Sequence, residues 1–410
     1  MTLDQAWYAR DTRDWTCEAP DGAAAAFHRG LPGYAPTPLV EAPVLASELG
    51  VGRLFVKDEA ARFDLRAFKY LGASWAGFRV VAARTGYTGP ATLDGLRSHL
   101  ASAPSGAVSG PGAVSGPGAV GPGRFGALTL ISATDGNHGR AVARTARLLG
   151  LPARVYVPKG VPDVVIDRIN AEGARLTVVD ADYDGAVMAA RADADADGAG
   201  GMLIQDTAWD GYEQVPSWIV AGYETLFAEI DAQLAAAGAA GFGGAGAGLM
   251  SVPVGVGSLA QAAVAHYRRP GLPRPDRPLL LSVEPDTAAC VLRSLADGAP
   301  ASVPTAATVM NGLNCGTPSS IAWPYLRDGL DAAIAVTDAD AQDAVAALSS
   351  AGVSAGPSGA AGLAGLRAAL TGAGAAARRR ALGLALGLGL DAGNGAVVVC
   401  LSTEGPLAAG

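Results

Sequence analysis

The chain has 410 residues, of which 50% are hydrophobic and 17% are charged, and its formal net charge is -8 at pH 7. This length exceeds what one hydrophobic core usually supports, so we predict two domains. The acidic balance argues against nucleic acid and against an anionic membrane surface as partners, because both bind basic faces, and leaves a small molecule as the expected partner.

Cysteine and histidine are scarce and dispersed. Cys17, Cys290, Cys315 and Cys400 form no Cys-x-x-Cys pair, so neither a disulfide framework nor a zinc site is indicated. The histidines are equally scattered, and we predict no metal site. The N-terminal stretch MTLDQAWYARDTRDW contains acids and no apolar segment, which is not typical of a signal peptide, so a cytoplasmic location is the expectation.

Short β-rich runs alternate with longer helical patterns along the chain. The strand-like runs, in order, are RLFVK, LTLIS, ARVYVP, RLTVVD, MLIQD, MSVPV, LLLSVE, AAIAVT and AVVVCLS. The helical patterns cover 70–84, 137–149, 162–172, 183–192, 216–236, 258–267, 286–296, 338–350 and 358–370. Apolar strands separated by helices are typical of a parallel sheet that is covered on both faces, so the predicted fold class is α/β.

Segments of biased composition interrupt this alternation. Residues 105–123 repeat a Gly-Ala-Val-Ser-Gly-Pro unit, and its Pro and Gly predict a mobile surface loop. Segments 193–201, 237–248 and 372–395 are rich in small residues and are interpreted as insertions or linkers. Residues 238–266 are uncharged over a length that spans a bilayer, but their many glycines predict loop, strand, loop and helix instead.

Three stretches combine reactive side chains or glycine turns with a predicted helix start. AFKYLGASWAG places Lys69 there, and SATDGNHGRAVA places Asp135 and Asn137 between a strand and a helix. VPVGVGSLAQA places Gly255 and Gly257 between another strand and helix. Unobstructed backbone amides at such a helix start suit a phosphate, and therefore a phosphorylated cofactor.

Each stretch also has a purely structural interpretation. A Gly-x-Gly after a strand is often only a tight turn. A lysine in a first helical turn is commonly solvated, which is one alternative for Lys69. Asp135 suits the N-cap of the helix that follows it. Taken singly, none of the three stretches decides the function.

Taken together and in this order, the strings resemble the fold type II pyridoxal-phosphate enzymes, and within them the diaminopropionate ammonia-lyases. The strings are FVKDEAARFDLRAFKYLGAS, TDGNHGRAVA, QDTAWDGYEQVPSWIVAGY, VGVGSLAQA, SVEPD and VVVCLSTEG, spread over roughly residues 35–405. The resemblance implies two domains, each with a mostly parallel twisted sheet flanked by helices, and an active site in the cleft between them. It implies a large domain of residues 1–69 and 206–410, which binds the cofactor, and a small domain of residues 70–205.

The resemblance distinguishes two lysines. Lys69 is implied to hold pyridoxal 5′-phosphate as an internal aldimine, whereas Lys57 is implied to be a surface or ion-pair lysine beside Asp58 and Glu59. An amine must be unprotonated to form an imine, so we expect partial burial to lower the pKa of Lys69.

The remaining cofactor contacts are implied by the same resemblance. Asn137 is implied to contact the phenolic oxygen of the cofactor. Ser402, with Thr403 as the second candidate, is implied to face the pyridine nitrogen. The implied phosphate loop consists of Gly255, Val256, Gly257, Ser258 and Leu259.

Two aspartates complete the implied catalytic set. Asp135 is implied to be a second base opposite Lys69, since serine and threonine dehydratases of this fold typically have serine there. Two bases on opposite faces can remove the α-proton of either enantiomer. Asp206 is implied to contact the amino groups of the substrate, with a strand-end cap as its alternative. The implied reaction is α,β-elimination of 2,3-diaminopropionate to pyruvate and two ammonia.

Several neighbouring residues are interpreted as structural. Packing is expected for Trp209, Tyr212 and Trp218, and a structural place at a strand end for Glu284. The loop 311–316 is implied to pass beside the cofactor ring, with Cys315 as a small buried filler.

The sequence also departs from the family pattern. Pro357 stands where similar enzymes have the acid of a Gly-Glu-Ser-Gly-Ala string, and Asp64 and Arg66 stand where they often have Gly and Asn. These departures leave a serine or threonine dehydratase, or a β-replacement enzyme, as the alternative within the same chemistry.

Alternatives from other classes are weaker. A protein that binds the cofactor or an amino acid without catalysis is disfavoured by the joint presence of Lys69, Asp135 and Asn137. A nicotinamide-dependent enzyme would need a Gly-x-Gly-x-x-Gly unit after an early strand, and none is found. The resemblance implies a homodimer.

Overall fold

The computed structural model describes residues 7–102, 128–198, 200–239, 246–382 and 397–407. The predicted loop at 105–123 lies outside the described residues, as do residue 199 and parts of the segments 237–248 and 372–395.

Strands and helices alternate through most of the described chain. The strands are β1 Trp7–Ala9, β2 Leu39–Glu41, β3 Arg53–Asp58, β4 Thr129–Ala133, β5 Ala153–Pro158, β6 Arg175–Val179, β7 Gly201–Leu203, β8 Leu249–Pro253, β9 Leu279–Pro285, β10 Ala332–Val336 and β11 Val397–Ser402. The helices are α1 Ala23–Arg29, α2 Pro43–Leu49, α3 Lys69–Thr85, α4 Leu93–Ser102, α5 Asn137–Leu149, α6 Asp163–Asn170, α7 Tyr183–Ala196, α8 Gln214–Ala236, α9 Ser258–Tyr267, α10 Cys290–Asp297, α11 Trp323–Gly329, α12 Asp338–Ser350, α13 Pro357–Leu370 and α14 Ala375–Ala381. Short 3-10 helices occupy Glu59–Asp64, Arg274–Asp276, Asp286–Ala288 and Asn311–Leu313.

The strands form two sheets. The larger has the order β1-β10-β9-β8-β11-β3-β2, and the smaller has the order β6-β5-β4-β7. Only the edge strands β1 and β2 pair antiparallel with their neighbours, and every other pairing between the described strands is parallel. The predicted α/β class with mostly parallel sheets is therefore confirmed.

Burial explains why these runs form interior strands. Every residue of β4, β8, β9, β10 and β11 is buried, as expected where helices cover both faces of a parallel sheet. The edge strand β6 is partly exposed. The short strands β1 and β2 and the helices α1, α2 and α4 carried too little periodicity to be predicted.

Most predicted helices agree with the structure within a few residues. The uncharged segment 238–266 contains β8, a glycine turn and most of α9, as predicted, and within the described ranges no helix is long and apolar enough to cross a membrane. Two linker predictions are wrong in part, because α7 continues to Ala196 and α14 lies inside the segment 372–395.

The two sheets divide the chain in the order that the resemblance implied. The small sheet takes its strands from residues 129–203, and the large sheet takes its strands from both flanks. The helix α3 connects them, since it packs against α5 on one side and α8 on the other. The domain boundaries at 69/70 and 205/206 stay a prediction.

Candidate active site

The predicted site residues follow the carboxyl ends of parallel strands. Asp135 comes after β4, Asp206 after β7, Gly255 after β8, and Ser402 and Thr403 end or follow β11. Open α/β sheets bind ligands at this edge. In the two sheets these edges face each other. The distances below show this, because side chains that follow strands of one sheet contact groups that follow strands of the other.

Lys69 and Asp206 form the central contact. Lys69 is the first residue of α3, and its Nζ atom lies 2.6 Å from Oδ2 of Asp206, with 23% and 8% of the two side chains exposed. Burial by itself lowers the pKa of Lys69, but the Asp206 carboxylate outweighs it and the pKa is raised. Our expectation that burial lowers the pKa of Lys69 is therefore wrong, because it did not include a carboxylate partner 137 residues away.

The pKa of Asp206 is shifted in the opposite direction to that of Lys69. Burial favours its neutral form, but the charge of Lys69 and the hydrogen bond from its amine hold the pKa of Asp206 below its ordinary value. The pair therefore stays ionised at neutral pH. The strand-end cap is not its role here, since its carboxylate accepts from Lys69 at 2.6 Å and more weakly from Gln205 at 3.5 Å.

His138 lies against this pair and was not predicted. Its Nε2 atom lies 2.8 Å from the carbonyl oxygen of Ile204, and its Nδ1 atom lies 3.8 Å from Oδ2 of Asp206. Burial lowers the pKa of His138 despite the nearby Asp206. A neutral ring that donates from Nε2 to Ile204 leaves Nδ1 as an acceptor without a partner. The Gly-Asn-His string was the signal for this residue.

Asp135 is exposed to the cleft. Although the residue reaches solvent, the protein atoms around it displace part of the water near its carboxyl group and so raise its pKa; the charge of Lys69 opposes this rise, and the charge of Asp206 adds to it. The alternative of an N-cap is wrong, because α5 begins at Asn137 after Gly136 and has no side-chain cap. Asp135 is thus a solvent-reachable carboxylate whose charge interacts with both members of the central pair.

The two glycines of the turn after β8 have little room for a side chain. Gly257 has φ +102°, and a Cβ atom there would lie 2.6 Å from Cδ1 of Leu326. A Cβ atom on Gly255 would lie 3.0 Å from Sγ of Cys315. The turn leads directly into α9, whose first residue, Ser258, donates from Oγ to the carbonyl oxygen of Asp206 at 3.1 Å. A bare backbone at a helix start fits a phosphate.

The side chain of Ser402 is buried and, among the described residues, unpaired, which also fits a bound cofactor. Its side chain is fully buried, and its Oγ atom has no hydrogen-bond partner. Buried hydroxyls are normally paired, so this orphaned atom fits the ring nitrogen that the resemblance places there. Thr403 is also buried.

Asn137 and Glu404 meet across the two sheets. Nδ2 of Asn137 donates to Oε2 of Glu404 at 2.5 Å. Glu404 was not singled out from the sequence, although it is part of the quoted STEG string that carried the resemblance. Tyr183 was missed too; its hydroxyl accepts from Nε2 of the buried Gln205 at 2.8 Å.

The segment before Lys69 has an unusual backbone. Phe63, Asp64 and Arg66 have φ values of 48°, 59° and 64°. This left-handed region costs most residues about 1 kcal/mol or more, but glycine and asparagine adopt it readily. The positive φ angles explain why Gly and Asn often occupy positions 64 and 66 in similar enzymes. In this chain Asp64 and Arg66 adopt the same backbone conformation.

Lys57 lies outside the site. It is fully buried, and its Nζ atom lies 2.7 Å from Oε2 of Glu229. A surface position is therefore wrong; an ion pair is correct, but the partner at hydrogen-bond distance is Glu229 on α8 rather than a neighbouring acid.

The other residues interpreted as structural make structural contacts. Oε1 and Oε2 of Glu284 accept from the backbone amides of Val291 and Leu292, at 2.8 and 2.7 Å, in the first turn of α10. Trp209 stacks on Tyr212. Cys315 is half-buried rather than fully buried, and desolvation raises the pKa of its thiol to about 12.

Known proteins are similar to this chain in sequence and in fold. The pattern of the family described as pyridoxal-phosphate dependent enzyme matches residues 31–381. A diaminopropionate ammonia-lyase from Salmonella typhimurium is 37% identical over 76% of this chain and 71% of its own length. The Escherichia coli K12 protein of the same name is 33% identical over 84% of this chain and 77% of its own.

Solved structures agree with these relatives. The structure of Escherichia coli diaminopropionate ammonia lyase in complex with an aminoacrylate-PLP azomethine reaction intermediate has a TM-score of 0.79 and 30% identity, covering 99% of this chain and 94% of that one. Maize serine racemase, at 21% identity and a TM-score of 0.68 over 95% of this chain and 93% of that one, shares the fold. The resemblance drawn from the sequence is confirmed, and the chain belongs to the pyridoxal-phosphate dependent enzymes of fold type II.

Proposed function

We propose that this chain catalyses the pyridoxal-phosphate-dependent α,β-elimination of 2,3-diaminopropionate to pyruvate and two ammonia. The observation that carries the proposal is the contact of Lys69 with Asp206 at 2.6 Å, beside a glycine turn that is tied to Asp206 through Ser258. The relatives named diaminopropionate ammonia-lyase support the same substrate.

The residues of this chain would hold the cofactor at three points. The backbone of Gly255, Val256, Gly257, Ser258 and Leu259 would hold its phosphate, Asn137 would contact its phenolic oxygen, and Ser402 or Thr403 would face its ring nitrogen. The orphaned Oγ of Ser402 supports the last contact. When bound, the cofactor supplies an electron sink for negative charge at the α-carbon of the substrate.

The acidic groups suit a substrate with two amines. A diamino acid brings a second cation that serine and threonine lack, and a buried cation needs a carboxylate nearby. Asp206 already binds an ammonium group, that of Lys69. We propose that Asp206 binds an amino group of the substrate after its contact with the amine of Lys69 is broken.

Lys69 and Asp135 act as the two bases. The raised pKa of Asp135 helps it to take and hold a proton, as a general base must. Lys69 can accept a proton only after its own has left, so the Asp206 carboxylate, which stabilises the charged amine, also controls when Lys69 is a base. If Lys69 and Asp135 lie on opposite faces of the substrate, one of them can remove the α-proton of the L-enantiomer and the other that of the D-enantiomer.

We also propose a cytoplasmic homodimer. The four cysteines are all free thiols, which supports a reducing compartment. Light scattering of the purified protein tests the dimer, and a monomeric mass would contradict it. Fractionation of the producing cell tests the compartment.

The test of function is pyruvate release by the purified protein loaded with cofactor. We expect turnover of D- and L-2,3-diaminopropionate, much slower turnover of D- and L-serine, and none in Lys69→Ala. Lys159→Ala is the matched control, because Lys159 is an exposed lysine whose side chain is 68% accessible. Equal turnover of serine or threonine would favour a dehydratase. Cofactor binding without pyruvate from any of these amino acids would favour a non-catalytic binding protein.

A further inference from the structure

Glu404 is a carboxyl group at the site with no role so far. It follows β11 of the large sheet, whereas Asn137 begins α5 beside the small sheet, so their 2.5 Å contact crosses the cleft. Glu404 is held from several directions: its carbonyl oxygen accepts from the amide of Gly356 at 3.0 Å, its backbone bridges to Ala67, and its side chain also hydrogen-bonds Ser358.

Three glycines lie close to Glu404, and the one at residue 359 leaves room for its backbone. A Cβ atom on Gly359 would lie 2.4 Å from the Glu404 carbonyl oxygen, and one on Gly356 would lie 3.4 Å from Oε1. A Cβ atom on Gly312 would lie 3.7 Å from Oε2. The start of α13 and the 3-10 helix at Asn311–Leu313 therefore both lie against Glu404.

A fixed carboxylate determines how the Asn137 amide is turned. An ionised carboxylate accepts hydrogen bonds and cannot donate them, so it selects the NH2 end of the amide. The contact uses one of the two N–H groups of Asn137 and leaves the other for a second acceptor. Burial raises the pKa of Glu404, whereas its hydrogen bonds with Ser358 and Asn137 favour the ionised form. A hydrogen bond to an ionised partner is roughly twice as strong as a neutral one.

We propose that Glu404 is a positioning residue for the cofactor: it holds the Asn137 amide with one N–H, so that the other N–H is available to the phenolic oxygen. This inference rests on the contact proposed above between Asn137 and that oxygen. Glu404 acts through Asn137 and does not itself touch the reacting atoms. Without it, the amide is free to present its oxygen, which repels an anionic oxygen of the cofactor.

The test compares Glu404→Gln, Glu404→Ala, Asn137→Ala and the double variant Asn137→Ala/Glu404→Ala. The readouts are the dissociation constant of pyridoxal phosphate, from fluorescence titration of the apoprotein, and the absorbance spectrum of the bound cofactor. Glu48→Gln is the matched control, since Glu48 pairs with Arg367 at the surface, with 41% of the Glu48 side chain exposed. The melting temperature of each apoprotein reports whether it folds.

We expect Glu404→Ala to weaken cofactor binding about tenfold and to shift the absorbance spectrum in the same way as Asn137→Ala. Glu404→Gln keeps an acceptor oxygen and should fall between Glu404→Ala and the unchanged protein. The double variant should bind no more weakly than Asn137→Ala alone, because both residues act through one contact.

Two results would overturn the proposal. One is an unchanged affinity and spectrum in Glu404→Ala, and the other is multiplication of the two single effects in the double variant. If Glu404→Ala does not fold, Glu404→Gln decides in the same way. Failure of the proposed function is a separate outcome, which would be seen as cofactor binding without pyruvate release in the unchanged protein. The affinity test of Glu404 remains valid in that case, because it measures cofactor binding and not turnover.

Discussion

The Nζ atom of Lys69 and the Oδ2 atom of Asp206 lie 2.6 Å apart, in a contact that joins the first turn of α3 to the end of β7. The Asp206 carboxylate favours the protonated form of the amine by raising its pKa. An amine in this state is protected from reaction, and it becomes a nucleophile only when its partner is neutralised or engaged elsewhere.

Asp206→Asn should therefore change when Lys69 can react. Without the carboxylate, burial lowers the pKa of Lys69, so the neutral amine is present at lower pH. We expect the midpoint of the pH dependence of cofactor attachment, followed by absorbance after mixing apoprotein with pyridoxal phosphate, to move to lower pH. Turnover of diaminopropionate should fall by about tenfold or more, because a charge-assisted contact to the substrate is lost. Asp180→Asn is the control, since Asp180 pairs with the exposed Lys159; an unchanged or higher midpoint contradicts the account.

Asp135→Asn should affect the two enantiomers of the substrate unequally. A general base contributes about 10²- to 10⁴-fold, so we expect a loss of this size for D-diaminopropionate and a small change for the L-enantiomer. Pyruvate release from each pure enantiomer measures it. Asp163→Asn, on an exposed position of α6, controls for the loss of a charge. Equal losses for both enantiomers would argue against a second base at residue 135.

Gly257→Ala should damage both the fold and cofactor binding. The new Cβ atom would lie 2.6 Å from Leu326, at a φ of +102°, and we expect about 1 to 3 kcal/mol of destabilisation in urea unfolding of the apoprotein. Gly271→Ala is a matched control, because Gly271 also has a positive φ, +83°, but nothing lies within 4 Å of its added Cβ. A Gly257→Ala protein as stable as Gly271→Ala would show that the close approach to Leu326 is relieved cheaply.

Loss of the buried carboxylate of Glu229 should destabilise the protein strongly. Glu229 lies 2.7 Å from both Lys57 and Arg62, whose side chains are fully buried. Glu229→Gln leaves two buried cations with less compensation, and we expect a loss of about 3 to 5 kcal/mol in the free energy of unfolding. Glu48→Gln, which breaks a partly exposed pair with Arg367, should cost less than about 1 kcal/mol. Similar losses in both variants would contradict this.

The same network predicts how stability depends on acid. Burial favours the neutral form of Glu229, but Arg62 and Lys57 outweigh it and lower its pKa from 4.5 to about 2. A carboxylate with a lowered pKa in the folded state stabilises the protein above its unfolded pKa, and this contribution is lost as the pH falls towards 2. The free energy of unfolding should decrease between about pH 5 and about pH 2, and this decrease should be smaller in Glu229→Gln. An identical pH dependence in the two proteins would count against the assignment.

The features that could be predicted from the sequence are those encoded by residues close together in the chain, such as turns and helix starts. The turn and helix at 255–267 were recognised because glycine, serine and an alanine-rich run signal them locally, and Lys69 was placed at a helix start for the same reason. Partners distant in the chain were not predictable. Lys57 meets Glu229 at a separation of 172 residues, and Asn137 meets Glu404 at a separation of 267. The wrong expectation for the pKa of Lys69 has this cause, since it counted burial and not the carboxylate that the fold brings to it.

The left-handed backbone at Asp64 and Arg66 has a practical consequence for engineering a heat-resistant variant. Aspartate tolerates this region better than most residues because its short polar side chain can hydrogen-bond locally, so the unfavourable conformation weighs most on Arg66, which has a φ of 64°. Arg66→Asn is therefore a substitution that should make the protein melt at a higher temperature.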